Sequence, residues 1–439
     1  MLTNYIAAKL IENLEFQPTS SQVEMIRELG GFITSDDPGE IMMVKGYAGT
    51  GKTTLVNSLV KTLASVKQKS ILLAPTGRAA KVLSAYTHHQ AWTIHKKIYR
   101  QKSGRDGLGE FVLDRNLHKQ TYFIVDEASM IGDRSPDSVF GSGDLLRDLL
   151  DYIEHGSMCR LILVGDTAQL PPVGLEISPA LSRERMEELG YRVREIEMTD
   201  VIRQTQDSGI LHNATSIRKL ITEGTADYPR FNFEAFNDIT MLSGTDLLDA
   251  ISSSYDRFGT GDTIVVTRSN KRANKFNAGI RSQILWREEQ VSPGDLLMVV
   301  KNNYFWKDEN NRIDFIANGD IVKVVRVLRT EESHGHRFAN VLVSLPDYND
   351  LELEAKVMLD VIDLDAPSLN YDQQRTLYMS VAEDYPETNN RKQMAIKIAT
   401  DPYYNSLQVK FAYAVTCHKS QGGQWKSVFL DQGYFTDEM

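Results

Sequence analysis

An apolar run, Ile41 to Val44, leads into Gly46-Tyr47-Ala48-Gly49-Thr50-Gly51-Lys52-Thr53, and an amphipathic segment opens at Lys52. A strand, a glycine-rich loop and a helix in that order form the context of a phosphate-binding P-loop. Gly46, Gly49 and Gly51 let the loop bend until consecutive backbone N–H groups face the phosphates, Lys52 can reach the β and γ oxygens, and the Thr53 hydroxyl can hold Mg²⁺. The pattern predicts a nucleoside triphosphate site built from Gly46, Tyr47, Ala48, Gly49, Thr50, Gly51, Lys52, Thr53 and Thr54, carried on an α/β core.

Three further apolar runs, Ile71 to Leu73, Tyr122 to Val125 and Leu161 to Val164, alternate with helical patterns. With Ile41 to Val44 they read as buried parallel strands of one doubly wound sheet. At 439 residues, 41% hydrophobic and 25% charged, the chain is too long for a single core and too apolar to be disordered, so two to four domains are expected. A second group of runs, Ile264 to Val266, Phe411 to Val415 and Val428 to Leu430, predicts another parallel sheet. Between them, from about Gly294 to Tyr404, alternating strands such as Asp320 to Val327 and Asn340 to Leu345, with polar turns such as Lys307 to Arg312, suggest a small β-barrel. The polar, Gly-bearing stretch Gln101 to Gln120 reads as an excursion, plausibly a hairpin, between two strands of the first sheet.

Ile124-Val125-Asp126-Glu127 ends an apolar strand in two carboxylates, one for Mg²⁺ (Asp126) and one to polarise an attacking water (Glu127). Gly165 to Val173 follows the next apolar run and places Gln169 at a strand edge as a candidate γ-phosphate or water sensor. Arg203, in Asp200-Val201-Ile202-Arg203-Gln204, is either an arginine finger or a surface salt-bridge residue. Neither Cys159 nor Cys417 has metal-ligand spacing, which fits a reducing compartment. With no membrane span and no signal-peptide h-region, a cytoplasmic location is expected. The net charge of −10 weighs against a protein that coats nucleic acid, but Lys96, Lys97, Arg100, Lys102 and Arg105 cluster locally, as a strand-tracking surface or as a solvated helix face.

Together these residues resemble the superfamily 1 helicases, and more closely the 1B branch that includes RecD, the phage Dda helicase and the Pif family. The resemblance assigns Gln22, in Pro18-Thr19-Ser20-Ser21-Gln22, to adenine recognition, and Pro75, Thr76, Gly77, Arg78 and Lys81 to a first strand-contacting motif. Thr93 and His95 match the next such motif, and Gly165 to Val173 the one that couples hydrolysis to strand contact, so that Val173 also faces DNA. Arg203 matches the family's γ-phosphate arginine. Thr267 to Asn277, with Thr267 and Asn270, and Asn318-Gly319-Asp320 look like motifs of the second core. Tyr413 to Gly422 is similar to the motif bridging DNA and nucleotide, which places Thr416, His418 and Lys419 on the strand and Gln424 on the ribose or γ-phosphate.

The implied fold is α/β: two RecA-like P-loop NTPase cores, a small excursion in the first and an SH3-like β-barrel inserted in the second. The boundaries expected are residues 1–190 for the first core, with the excursion at about 96–120, residues 191–293 and 405–439 for the second, and 294–404 for the barrel. The implied activity is ATP- and Mg²⁺-dependent 5′→3′ translocation on single-stranded DNA, with unwinding of duplex and G-quadruplex DNA. Single strands and junctions are the partners, the free protein is a monomer, no membrane is involved, and in a bacterium the protein is associated with the nucleoid. Pro75, Thr76, Thr93 and Thr416 offer hydroxyls or backbone groups for sequence-blind phosphate contact. Trp92 and Tyr99 either stack on bases or belong to the core. The family's closing Tyr-Thr-Ala-x-Thr-Arg-type motif is not found after Gln424, so either an incomplete second core or one finished in an unusual way is expected. A regulatory ATPase switch, or a single-strand binding module with weak turnover, fits the same residues.

Overall fold

The computed structural model describes residues 2–433 except 15, 103–109, 134–140, 201–207, 225–229, 235, 307–312, 314, 349 and 389. They group into two compact units. The first comprises the residues up to Pro75, with Ala79–Tyr99 and Leu113–Ser243, and the second comprises Thr76–Arg78, Arg100–Val112 and the chain from Gly244 onward.

The first unit is built on a six-stranded parallel sheet. In chain order its strands are β1 (Glu40–Gly46), β2 (Lys69–Ala74), β3 (Ala91–Thr93), β6 (Thr121–Val125), β7 (Arg160–Gly165) and β8 (Arg192–Met198), arranged β3-β2-β6-β7-β1-β8. Between β3 and β6 in the chain, β4 (Tyr99–Lys102) and β5 (Glu110–Leu113) pair as a separate two-stranded sheet where the hairpin is expected. Residues Arg100–Val112 group with the second unit, so most of this excursion is not part of the first compact unit.

The four apolar runs became β1, β2, β6 and β7 because central strands of a parallel sheet are covered on both faces. Met42, Val44, Ile124, Ile162 and Val164 share one core with Ile26 and Leu29 of the helix Ser20–Thr34 and with Leu55, Leu59 and Leu63 of the helix Lys52–Ser65. The intervening Met43, Phe123 and Leu163 are equally buried, as the two-residue period of a strand requires. Each such side chain contributes about 1.5–3 kcal/mol through burial.

Two strands of this sheet escaped the sequence pattern. β8 is mostly polar with only Met198 buried, as an edge strand can be, and it pairs along its whole length with β1. A domain boundary at 190/191 therefore cuts the first sheet, and the unit runs on to Ser243. β3 is only three residues long.

In the second unit, β9 (Thr263–Thr267), β15 (Ala414–Thr416) and β16 (Ser427–Leu430) form a parallel sheet ordered β15-β9-β16. The strands β10 (Leu296–Val299), β11 (Ile321–Ser333), β12 (His336–Leu345), β13 (Leu351–Met358) and β14 (Leu407–Phe411) close a barrel. The turn between β11 and β12 uses His334 and Gly335, both at positive φ (53° and 74°), the twist-matched form of a two-residue hairpin.

The barrel extends past residue 404, since β14 is its closing strand, and Phe411 ends that strand instead of opening one in the parallel sheet. Every residue from Leu407 to Val415 is buried, so hydropathy carries no mark where the chain passes from barrel to sheet. β13 and β14 run parallel, and a parallel neighbour needs a long crossover. That crossover carries the helices Tyr371–Ala382 and Arg391–Ala399, which the sequence reading did not foresee. The turn Lys307 to Arg312 lies outside the described residues.

No helix among the described residues is long and apolar enough to cross a membrane, and Cys159 and Cys417 are free thiols. One buried carboxylate organises the second unit. Asp295, fully buried, accepts from Arg281 Nε (3.1 Å) and Nη2 (3.0 Å), Arg287 Nη1 (2.8 Å), the Tyr413 hydroxyl (3.0 Å) and the backbone N–H of Ser292 (2.8 Å). Removing it strands two guanidinium groups, a loss of about 3–5 kcal/mol for a buried pair broken from one side. Asp295→Ala is therefore expected to lower the urea midpoint of the second unit's unfolding sharply, measured by tryptophan fluorescence.

Candidate nucleotide site and strand-contact residues

β1 delivers Gly46 to the loop and the helix Lys52–Ser65 leaves it. Gly49 (φ 81°) and Gly51 (φ 90°) hold the left-handed conformations that make the loop curl. A Cβ at Gly46 would lie 2.8 Å from Thr50 Oγ1 and 3.0 Å from Met198 Cβ, so β8 and the loop itself exclude any larger residue. Gly51 caps the helix with no side-chain hydrogen bond, so no capping side chain stands between the first-turn N–H groups and an anion.

Within the loop, Thr50 donates to the Tyr47 carbonyl through its N–H (3.3 Å) and its hydroxyl (2.8 Å). Lys52 Nζ donates to the carbonyls of Gly46 (2.6 Å) and Tyr47 (2.9 Å). Ala48 and Gly49 are exposed, Thr53 is half-buried in the first helical turn, and the Thr54 hydroxyl is bonded to that of Tyr86 at 2.7 Å.

Gln22 lies against this loop. Its Nε2 donates to Thr50 O at 2.9 Å while its Oε1 accepts from Thr19 N at 3.0 Å, half of a capping box that starts the helix Ser20–Thr34. A residue expected to read adenine thus also braces the P-loop.

The acid pair follows β6. Asp126 is buried, and its Oδ1 accepts the Glu127 N–H at 2.9 Å. Glu127 adopts a left-handed conformation (φ 54°), which for a non-glycine residue costs about 1–2 kcal/mol. Such strain marks functional positions when the surroundings enforce it. Burial pushes the pKa of both carboxyls up, and Asp126 pushes that of Glu127 further. Glu127 Oε2 is buried with no hydrogen-bond partner. Burial also pushes the Lys52 ammonium down, opposed by Asp166, Glu127 and Asp126, so all three acids act on the P-loop lysine.

β7 supplies the remaining side. Asp166, buried at its end, accepts the Ala168 N–H at 2.9 Å. Gln169 Oε1 accepts from the Ser129 hydroxyl at 3.0 Å, and a hydrogen bond from the Gln169 side chain lowers the Glu127 pKa. The fold therefore gathers Gln22, the P-loop, Asp126, Glu127 and Gln169 in one unit. It adds three residues to which no role was given from sequence: Asp166, Ser129 and Arg218. Asp166 sits inside the Gly165 to Val173 motif and Ser129 follows the acid pair by two residues, whereas Arg218 lies on an unremarkable helix with no local signal. Arg203 lies outside the described residues.

The strand-contact candidates divide sharply. In the first unit Val173 is 85% exposed and Lys81 half-buried, while Thr93 is buried with its hydroxyl accepting the Lys96 N–H at 3.1 Å. The Thr93 side chain is thus spent on capping the helix Ile94–Ile98. Burial pushes His95 down to about 4, so its imidazole is neutral at pH 7 and offers a phosphate no charge. Pro75 closes β2, and Thr76, Gly77 and Arg78 belong to the second unit, where the Arg78 guanidinium lies 4.6 Å from the Trp425 ring centroid.

Also in the second unit, Thr267 is fully buried and its hydroxyl donates to Ser269 O at 3.0 Å, which removes it from any strand surface. Asn270, Thr416 and Lys419 line one small cavity, and Lys419 Nζ donates to Asn318 Oδ1 at 2.6 Å, with burial lowering its pKa to about 8. His418 is exposed, and Gln424 lines a separate open cavity of about 520 Å³ beside Ser420, Gly423 and Trp425.

The buried acids predict a pH signature. A carboxyl whose folded pKa is raised takes a proton more readily folded than unfolded, so its contribution to stability is lost as pH rises through the folded pKa. Glu127→Gln removes that loss. The variant should be more stable than the parent at pH 8 by about 0.5–2 kcal/mol, with the gap closing as pH falls below the ordinary glutamate range. Thermal melts from pH 4 to 8 measure it; a gap independent of pH would show that Glu127 carries no burial penalty.

Comparison with known proteins bears on what this site belongs to. The family model described as an AAA domain matches residues 18–226, and the UvrD-like helicase C-terminal domain matches residues 411–439. The chain is 32% identical to the ATP-dependent RecD2 DNA helicase of Deinococcus radiodurans over 177 residues, 40% of this chain and 21% of that protein. It is 27% identical to the ATP-dependent DNA helicase dda of Enterobacteria phage T4 over 299 residues, 64% of this chain and 62% of that one. A solved structure of a Pif1 helicase from Bacteroides, in complex with ADP-AlF3 and single-stranded DNA, aligns with 96% of this chain and 88% of its own at a TM-score of 0.47 and 16% identity. The chain thus spans about a fifth of the RecD2 relative and under two thirds of the phage one. A P-loop AAA domain match, a UvrD-like helicase C-terminal match and these relatives fall along one chain, which is therefore similar to superfamily 1B helicases of the RecD and Pif type.

Proposed function

We propose that this chain is an ATP-driven motor that tracks 5′→3′ along single-stranded DNA and opens duplex, with the β1-bearing sheet as one RecA-like core and the β15-β9-β16 sheet as the other. The observation that carries the reading is the buried acid pair beside the P-loop lysine, with Glu127 Oε2 left unpartnered. A buried, unsatisfied carboxylate oxygen is costly unless a reaction uses it. Among the described residues no three His, Cys, Asp or Glu side chains cluster as a metal cage. Mg²⁺ takes one or two protein ligands and completes its shell with phosphate and water.

Asp126 and Thr53 would hold that ion, which when bound neutralises charge on the phosphates. Lys52 neutralises the phosphate oxygens. Glu127 accepts the proton of the attacking water, a role that its raised pKa suits. Gln169, linked to Ser129 and to Glu127, holds the general base in place.

Contact with the strand would come from Arg78, Lys81 and Val173 and, in the second unit, from Asn270, Thr416, His418 and Lys419. Pro75, Thr76 and Gly77 would add backbone contacts, and Gln424 would reach the nucleotide. Polarity, action on G-quadruplexes and a monomeric resting state rest on the family resemblance.

The test is ATP hydrolysis with and without oligo(dT), together with displacement of a strand from duplexes carrying a 5′ or a 3′ tail. Stimulation by DNA and a preference for the 5′ tail are expected, and Lys52→Ala should cut turnover by about 10²–10³-fold while leaving DNA binding in place. Hydrolysis indifferent to DNA would leave a nucleotide switch as the better reading.

A further inference from the structure

Tyr47 is the hub of the P-loop. Its carbonyl receives three donors, Thr50 N–H (3.3 Å), Thr50 Oγ1 (2.8 Å) and Lys52 Nζ (2.9 Å). Its ring lies under the Arg218 guanidinium, 4.8 Å from centroid to Cζ. Arg218 comes from the helix Gly209–Glu223, far along the chain, and is only 9% exposed.

Burying a guanidinium is expensive, and stacking on an aromatic face is a geometry that a planar arginine fills and a lysine does not. The helix beneath it is firmly set. Ser208 caps it, Gly209 N–H donates to Asp238 Oδ1 at 2.7 Å, and Asn213 exchanges two hydrogen bonds with the backbone of Asn232. On the other side of the loop Gln22 holds Thr50 O. The loop is therefore gripped at two points by two helices, and the Arg218 charge is also among those acting on Lys52.

We infer that Arg218 is a positioning residue of the nucleotide site, which holds the P-loop through the Tyr47 ring in the form that receives phosphates. The inference rests on reading the P-loop as a nucleotide site. Its effect falls on binding: the loop that must be ordered around the diphosphate is ordered in advance, so any nucleotide with α and β phosphates gains alike.

The experiment is titration of the full chain with N-methylanthraniloyl-ADP, followed by fluorescence, for the parent, Arg218→Gln, Arg218→Lys, Tyr47→Leu and the Arg218→Gln/Tyr47→Leu pair. Each of Arg218→Gln and Tyr47→Leu should weaken binding by roughly fivefold to thirtyfold, the double variant no more than the worse single, with Arg218→Lys between parent and Gln. KM for ATP should rise with kcat nearly unchanged. Unchanged affinity in Arg218→Gln, or losses that multiply in the double variant, would overturn the inference. If Arg218→Gln does not fold, Tyr47→Leu on the half-buried loop decides it, since unchanged affinity there overturns the inference as well. A parent that fails to bind the labelled ADP would overturn the nucleotide-site reading itself.

Discussion

Lys52, drawn out of water and faced by Asp126, Glu127 and Asp166, is the charge around which the first unit is arranged. Three strands meet there: β1 brings the lysine, β6 the acid pair and β7 Asp166 with Gln169. Because β7 lies between β1 and β6, the acids face the P-loop across an intervening strand, which leaves width for phosphates and an ion. A sheet whose strands all run parallel brings these C-terminal ends to one edge, the general place for ligands in such folds.

Strain and cost concentrate at the same edge. Glu127 occupies a left-handed backbone conformation, its Oε2 is unsatisfied, and both acids bear raised pKa values. At Asp295, by contrast, five hydrogen bonds converge on one buried carboxylate. The contrast separates a carboxylate whose acceptor sites are used in holding a domain together from one with an unpartnered oxygen, the state that the proposed role of general base requires.

Much of this was legible in the sequence where function and local pattern coincide. The P-loop, the Asp126-Glu127 pair and Gln169 each follow an apolar run, and such runs are what central parallel strands look like. β8 and β3 were not legible, one because it is an edge strand of mostly charged residues with no apolar run and the other because it is three residues long. Between β13 and β14 the helices bury only short apolar faces, Leu377, Tyr378 and Val381 on one and Ala395 and Ile398 on the other, set among exposed residues. The hydroxyl of Thr93, read as available for phosphate contact, caps a helix, and that of Thr267, placed in a second-core motif by resemblance, bonds a turn. Arg218 could not be found, since its meaning lies in a contact with Tyr47 that only the fold creates.

If hydrolysis drives movement, the nucleotide must change the grip on the strand, and by linkage the strand must change the grip on the nucleotide. The most direct measurement is the affinity of a fluorescent oligo(dT) for the protein, by anisotropy at one fixed salt concentration, with no nucleotide, with ADP, and with ADP and aluminium fluoride. A coupled motor shows affinities that differ between these states by roughly fivefold or more, matched by a reciprocal shift in nucleotide affinity when the strand is present. Identical strand affinity in all three states would contradict the coupling and leave the two sites unrelated.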